Sequence, residues 1–393
     1  MNRAREKTFI RIAAIVMAFT LPMMIIAAED LPILTGKVIE VQKYGNLTMD
    51  LKPKDLYDVG FELGDILNVT VGDVSLKIPF CTSYSDVDTG SLVVRDDQKN
   101  NLLVVAINMG NFATKYNVKA GDTLSFSLSE KAGYLSEYLI RQLKRTNVRS
   151  DYATDSIFAN FRSVATTGIK PGVIYRSSNP INNEIGRAAY ADALCRAVGI
   201  QTVINLSDSR EDIAKYLSAP GIKSDYYRSL LDSGKVVALN MGVDILGADF
   251  AAKFAEGIRF IIANDGPYLI HCTEGKDRAG FVSAVLEALM GADLQEIVAD
   301  YMKSYENYYG VKVGSDQYDA IAKSNIVASL TTAMCGLTKD VDISGINLSK
   351  FAEWYLLSIG LKQGEINELK AKLSAEPMVK EPWVKGKVTQ IEK

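Results

Sequence analysis

Hydrophobic periodicity changes part-way along this chain, and the change limits the folds open to it more than any single residue does. Between residues 31 and 126 apolar side chains recur in short runs, "GKVIEVQKYGNLTMDL", "ILNVTVGDVSLKIPF", "GSLVVRDDQKNNLLVVAINMG" and "AGDTLSFSL", broken by Gly, Asn and Asp. Short β-rich runs separated by turn residues read as strands. Residues 29–130 are expected to form a small all-β barrel or sandwich. The segment "YLSEYLIRQLKRTNV" (134–148) then takes up helical spacing, apolar at Leu135, Tyr138, Leu139 and Leu143, and predicts an amphipathic linker helix within residues 131–151. Its Arg141, Lys144, Arg145 and Arg149 are expected on a solvated helix face, contact with anionic lipid being the alternative.

From residue 152 to 393 strands and helices alternate. "GVIYRSS", "IQTVINL" and "PYLIHC" read as strands, the last two fully buried. Helices are expected over 182–198 (closed by Gly199), 250–263, "AGFVSAVLEALMG", 294–305, 317–329 and 347–359. This pattern predicts an α/β domain with a central, mostly parallel sheet flanked by helices.

The N-terminus carries Arg3, Arg5, Lys7 and Arg11, then 17 uncharged residues, "IAAIVMAFTLPMMIIAA", with Ala27 and Ala28 before Glu29. A basic start, an apolar core and small residues at its end predict a signal peptide over residues 1–28, and hence a secreted or cell-envelope protein. An uncleaved N-terminal membrane anchor is the alternative. Residues 1–28 hold four basic and one acidic side chain, so the remainder stands at −6 against −3 for the whole chain. A mildly acidic body argues against nucleic acid as a partner. One histidine and four cysteines at wide spacing, Cys81, Cys195, Cys272 and Cys335, fit neither a zinc centre nor a disulfide scaffold. No metal and no cofactor are expected. Cys195, on one helical face with Ala191, Leu194 and Val198, is expected to be a core thiol.

That single histidine, His271, sits beside Cys272 in "PYLIHCTEGKDRAGF" (267–281), at the end of a buried strand and before a helix. Ligands bind at the carboxyl ends of strands in α/β sheets, and a helix start offers unpaired N–H groups to an anion. A thiol there, with Arg278 six positions on, has the surroundings that favour a thiolate. The guanidinium fork of Arg278 suits two phosphate oxygens, and Gly275 permits the backbone curl that turns amides inward. Nucleophile, anion cradle and charge clamp within seven residues are the equipment for phosphoryl transfer through a phosphocysteine.

The Cys-x5-Arg loop resembles that of the protein tyrosine phosphatase superfamily, and "HCTEGKDRAGF" looks specifically like the bacterial tyrosine and lipid phosphatases with the loop HCxxGKDRTG. "FANFRSV" (158–164), "GVIYRSSNP" (172–180), "GIQTVINLSDSRED" (199–212) and "FVSAVLEALMGADLQEIVADYMKSY" (281–305) share in the resemblance. It implies a Cys-dependent phosphomonoesterase acting on phosphotyrosine or phosphoinositide. Cys272 would be the nucleophile, Arg278 the phosphate clamp and Asp277 the general acid. His271 would orient the loop and lower the thiol pKa. Lys276 is associated with room for phosphoinositides, and Thr273, Glu274, Gly275, Ala279 and Gly280 complete the substrate-binding loop. The family has Thr or Ser after the arginine where this chain has Ala279, which bears on turnover of the phosphoenzyme. Asp208, Arg210 and Glu211 compete for the place of the family's upstream "DLR", and Asp244 is an alternative acid. Two further readings are an inositol-polyphosphate (phytate-type) phosphatase and a slow or inactive phospho-binding protein. Its partners would be phosphorylated protein or lipid or inositol phosphate substrates, with membrane proximity through the N-terminal segment.

"YGNL" (44–47), "LGD" (63–65), "INMGNFA" (107–113) and "AGD" (120–122) make the strand-rich region resemble the C-terminal β-barrel domain of S-adenosylmethionine hydroxide adenosyltransferases. The larger domain with which that family builds its site is not read in this chain, so an accessory, ligand-binding or surface-presenting role is expected.

Overall fold

The computed structural model describes residues 32–339 and 341–374, and the chain divides between Tyr134 and Leu135 into two units. The expected signal segment, 1–28, lies outside the described residues. In the first unit seven strands, β1 (Leu34–Val41), β2 (Leu47–Met49), β3 (Ile66–Val71), β4 (Val74–Cys81), β5 (Leu92–Asp97), β6 (Leu102–Ile107) and β7 (Thr123–Glu130), close into a barrel in the order β1-β2-β6-β5-β4-β3-β7. Alternation along β7 sends Leu124, Phe126 and Leu128 inward to meet Leu67 and Val69 of β3 and Val38 of β1. Pairing β1 with β7 removes the open edges that an isolated sheet would present. Two short helices, α1 (Pro53–Asp58) and α2 (Phe112–Tyr116), cover parts of this core with Leu56 and Phe112.

The second unit is built on a five-stranded sheet of β8 (Arg162–Ser163), β9 (Ile174–Ser177), β10 (Thr202–Asn205), β11 (Val236–Ala238) and β12 (Tyr268–His271), ordered β11-β10-β12-β9-β8. All neighbours are parallel except β8 and β9. Its helices are α3 (Leu135–Arg141), α4 (Asp155–Phe158), α5 (Ala188–Val198), α6 (Arg210–Leu217), α7 (Asp225–Asp232), α8 (Ala248–Ala263), α9 (Asp277–Met290), α10 (Leu294–Tyr309), α11 (Asp316–Ala322), α12 (Leu348–Ser358) and α13 (Gln363–Ser374). One core joins Cys195 of α5, Ile213 of α6 and Tyr227 of α7 to Val203 and Leu269 of the sheet. The other joins Phe250 and Phe254 of α8, most of α9, and Tyr301 and Tyr305 of α10 to Ile204 and Ile270. Strand side chains point alternately to the two faces, so apolar residues at successive positions are what a sheet covered on both sides requires. Every residue of α9 from Ala279 to Leu289 is buried, which marks it as the central helix.

Register places the site. Central β12 sets His271 opposite Ser177 of β9 and Asn205 of β10, so three strands end level at one edge. Two expectations about local structure change here. The helix predicted from residue 182 begins at Ala188, because asparagine side chains compete for the preceding backbone. Asn179 Oδ1 accepts from the N–H groups of Ile181 and Asn182, Asn182 Oδ1 from Glu184, and Asn183 Oδ1 from Ala188. The linker helix ends at Arg141 and packs within the second unit, where Ser136 Oγ donates to Ala320 O and Gln317 Nε2 to Leu139 O. All four cysteines are buried thiols with no disulfide among them, Cys195 in the core as expected.

Candidate active site

Residues 272–276 bridge the end of β12 and the start of α9, and the carbonyls of this loop face donors on the surrounding scaffold. Thr273 O accepts from Asn179 N at 3.1 Å. Glu274 O accepts from the Tyr308 hydroxyl at 2.7 Å and from Asn160 Nδ2 at 3.1 Å. Gly275 O takes Arg176 Nη2 at 2.9 Å, and Lys276 O takes the same nitrogen at 3.0 Å. A peptide whose carbonyl is held to one side presents its N–H to the other, so four consecutive carbonyls drawn outward leave the amides free to converge on an anion. Gly275 is at φ +67°, and a Cβ on it would come within 2.1 Å of Ser177 O. Gly280 is needed for a different reason: a Cβ there would strike the Tyr301 ring at 2.6 Å and Arg176 Nη2 at 2.9 Å.

Cys272 begins the loop, buried at 3% exposure. Arg278, half-buried in the first turn of α9, is braced from both ends. Its Nη1 donates to Met241 O at 2.8 Å and its Nη2 to Thr273 Oγ1 at 3.2 Å. Asp277 begins α9 with its carboxylate largely exposed, and Tyr301 donates to its Oδ1 at 3.4 Å. Lys276 Nζ lies 3.2 Å from Glu274 and 3.8 Å from Asp277. Burial opposes its charge, but Asp277, Tyr305 and Glu274 outweigh that and hold it protonated. Ala279 is fully buried against the core.

His271, expected to orient the loop and lower the thiol pKa, lies directly before Cys272. The imidazole is wholly buried, and burial pushes its pKa down to about 4 despite the pull of Asp208, so it is neutral. Its Nδ1 lies 3.4 Å from Cys272 O, and the ring packs edge-on against Tyr227. Among the three candidates upstream, the structure brings Asp208 to the back of the site. That carboxylate is buried and accepts from Asn179 Nδ2 at 2.7 Å and Asn205 Nδ2 at 2.9 Å. Arg210 and Glu211 stand exposed. Asp244 is also exposed, its Oδ1 taken by Leu246 N in its own turn.

Several residues that the motif does not contain hold the loop. Arg176, fully buried beneath Gly275, pairs with Asp300 of α10 at 2.5 Å, and Arg162 pairs with the other oxygen at 2.9 Å. Burial opposes the Asp300 charge, yet the two guanidiniums hold its carboxyl below the usual range. Glu287 of α9, buried beside them, is pushed the opposite way by burial and by Asp300. Asn160, in a left-handed conformation at φ 49°, donates to the loop and to Ser304 Oγ while accepting from Arg162 and Asn307. Arg176, a strand-end arginine that the sequence offers either as a brace for the loop or as a structural ion pair, is both; Asn160, Arg162 and Asn179 lie in "FANFRSV" and "GVIYRSSNP", segments that carry the resemblance without announcing roles. Arg145, expected on a solvated face, is instead half-buried in an ion pair with Glu274.

In the barrel, "YGNL" and "INMGNFA" meet. Ala113 N donates to Gly45 O, and Tyr44, Asn46, Tyr84, Asn108 and Asn111 line a groove of about 750 Å³. Among the described residues no group of three or more His, Cys, Asp or Glu could hold a metal, and no helix is long and apolar enough to cross a membrane.

Comparison with known proteins follows the same division. Residues 156–375 match the model described as tyrosine phosphatase family, and residues 36–125 that of the SAM hydroxide adenosyltransferase C-terminal domain. A tyrosine-protein phosphatase of Nostoc commune is 28% identical over 226 residues, 48% of this chain and 72% of the relative. The triple specificity protein phosphatase PtpB of Mycobacterium tuberculosis is 27% identical over 190 residues, 38% of this chain and 67% of the relative. A solved structure of an uncharacterized conserved protein from Thermotoga maritima is 27% identical with a TM-score of 0.23. That match covers 24% of this chain and only 36% of the other, about a third of its length.

Proposed function

Since this chain belongs to the tyrosine phosphatase family, we propose that it is an exported phosphomonoesterase that hydrolyses phosphotyrosine or phosphoinositide through a phosphocysteine on Cys272. The observation that carries the mechanism is the loop with its carbonyls turned outward between Cys272 and the braced Arg278. Cys272 Sγ attacks phosphorus, an S–P bond forms and the ester O–P bond breaks. The departing oxygen takes a proton from Asp277. Water then attacks phosphorus, gives a proton back to Asp277, and the S–P bond breaks to release inorganic phosphate. Arg278 and the loop amides hold the equatorial oxygens in both steps, which is where charge accumulates. His271 shapes the loop as a neutral ring. The name of the mycobacterial relative, a triple specificity phosphatase, supports a substrate range wider than one phosphoamino acid. Export rests on the basic and then uncharged segment at residues 1–28.

A panel of phosphotyrosine peptide, phosphoinositide vesicles and soluble inositol phosphates, read by phosphate release, tests this. Cys272→Ser is expected to lose turnover on every substrate, and Asp277→Asn to lose roughly 10²–10⁴-fold in rate while still binding phosphate. Full activity in Cys272→Ser would sink the mechanism. One observation favours the slow or silent phospho-binding reading: buried Ala279 offers no hydroxyl to the departing sulfur. A single burst of about one equivalent of the leaving alcohol, with no phosphate released after it, would favour it.

A further inference from the structure

The rim of the phosphate loop carries an ion cluster drawn from three parts of the chain. Glu274, two residues past Cys272, is paired through Oε1 with Arg145 and through Oε2 with Lys276, the latter at 3.2 Å. Arg145 lies outside the span matched by the tyrosine phosphatase family, 156–375. Its guanidinium stands 5.0 Å from the Tyr308 ring centre and 5.9 Å from that of Tyr309, with Nη1 3.5 Å from the Tyr309 hydroxyl. Lys276 Nζ reaches the same wall, 5.0 Å from the Tyr305 ring centre, 5.3 Å from that of Tyr309 and 3.4 Å from its hydroxyl. The two cations thus share Tyr309 on one side and Glu274 on the other. Neither is solvated in the ordinary way: side-chain exposures are 19% for Arg145, 13% for Lys276 and 22% for Glu274.

Aromatic faces hold cations in place without neutralising them, so an anion is required between these two. Glu274 supplies it with a side chain, whereas its backbone is fixed independently by Tyr308 and Asn160. The carboxylate can therefore swing away without disturbing the loop. Displacing it needs a group of higher charge. A phosphate carries about −1.5 to −2 and three acceptor oxygens, against one charge and two oxygens for the carboxylate. We propose that Arg145 and Lys276 form a second phosphate subsite which Glu274 occupies in the free enzyme, so that the site selects phosphomonoesters bearing another phosphate beside the scissile one. This rests on the phosphatase reading of the Cys272 loop. The shared chemistry is neighbouring phosphates on a polyol, free in solution or as a lipid headgroup.

The test compares kcat/KM of the full chain on 4-nitrophenyl phosphate, a soluble inositol bisphosphate with adjacent phosphates, and the same headgroup in phosphatidylcholine vesicles. Arg145→Gln is expected to lower the ratio of bisphosphate to monophosphate kcat/KM roughly tenfold, chiefly through KM, as loss of a charged hydrogen bond does. Glu274→Gln is expected to raise that ratio, because the competitor is gone. Opposite movements support the subsite, and the substrate form that shows them, soluble or vesicle-bound, identifies the source. A merely structural ion pair would lower all rates together in both variants, and that result overturns the proposal, as does a ratio that moves only with an acidic phosphopeptide. Calorimetry on Cys272→Ser reads the subsite without turnover: adding Arg145→Gln must weaken binding of the soluble bisphosphate about tenfold, and unchanged binding overturns it. Failure of the wild type on 4-nitrophenyl phosphate would sink the phosphatase reading instead.

Discussion

His271 is the residue whose chemistry depends most on where the fold puts it. In the unfolded chain it titrates near 6.5, and in the folded one burial drives its pKa to about 4. A proton that the unfolded state binds and the folded state refuses makes stability rise with pH. This contribution is therefore complete above 6.5 and is lost as pH falls toward 4, amounting to at most about 3 kcal/mol. Urea unfolding of wild type and His271→Asn near pH 7 and near pH 4.5 should show a steeper acid loss in the wild type; equal losses would refute the neutral, buried ring. Adjacency of His271 and Cys272 was plain in the sequence, as was the six-residue step to Arg278. The imidazole's protonation state was not, because it follows from the packing of Tyr227 and Asp208 around it, and these come from other strands and helices.

At the scale of elements, β8, β9, α9 and α10 are tied by four ionisable side chains, Arg162, Arg176, Glu287 and Asp300. Orphaning a buried charge ordinarily costs roughly 3–5 kcal/mol. Asp300→Asn is expected to cost less, because Glu287, kept protonated by burial and by Asp300, can then ionise against the same two arginines. Adding Glu287→Gln should restore the full cost, so that the double variant loses more stability than the two single losses together. A double-mutant cycle by chemical unfolding measures this, and strict additivity would show that Glu287 takes no part. Most elements were legible from periodicity: β9, β10, β12 and helices α8, α9 and α10 lie where apolar spacing puts them. The errors fell where side chains compete with backbone, as asparagines do before α5, and where a short helix gives way, as α3 does at Arg141. The brief β11, α6 and α7 were not anticipated; segments of three to eight residues carry too little periodicity to be recognised.

Across the whole molecule, two units carry separate cores, one inside the barrel and one on each face of the five-stranded sheet. Export would take this chain to an oxidising compartment, yet the four cysteines are buried thiols with no disulfide among them. Intact mass of protein recovered without reductant is therefore expected to correspond to a chain starting at Glu29 with four reduced thiols; an unprocessed N-terminus would contradict cleavage, and a mass lower by two hydrogens would contradict the absence of a disulfide. The change from strand periodicity to alternating strands and helices was sufficient to specify an all-β unit followed by an α/β domain, because side-chain pattern sets which faces can be buried. The local order His-Cys-x5-Arg was likewise sufficient to place Cys272 and Arg278 on one strand–loop–helix turn, because these three pieces are contiguous in the chain. Only tertiary structure could decide what holds that loop and what borders it. Asn160, Arg176, Asn179 and Tyr308 turn its carbonyls outward, and Arg145 joins Glu274 at its rim, from positions up to 129 residues away. Hydrogen bonds and ion pairs act over a few ångströms of space, and distances of that kind are set by packing rather than by separation along the chain.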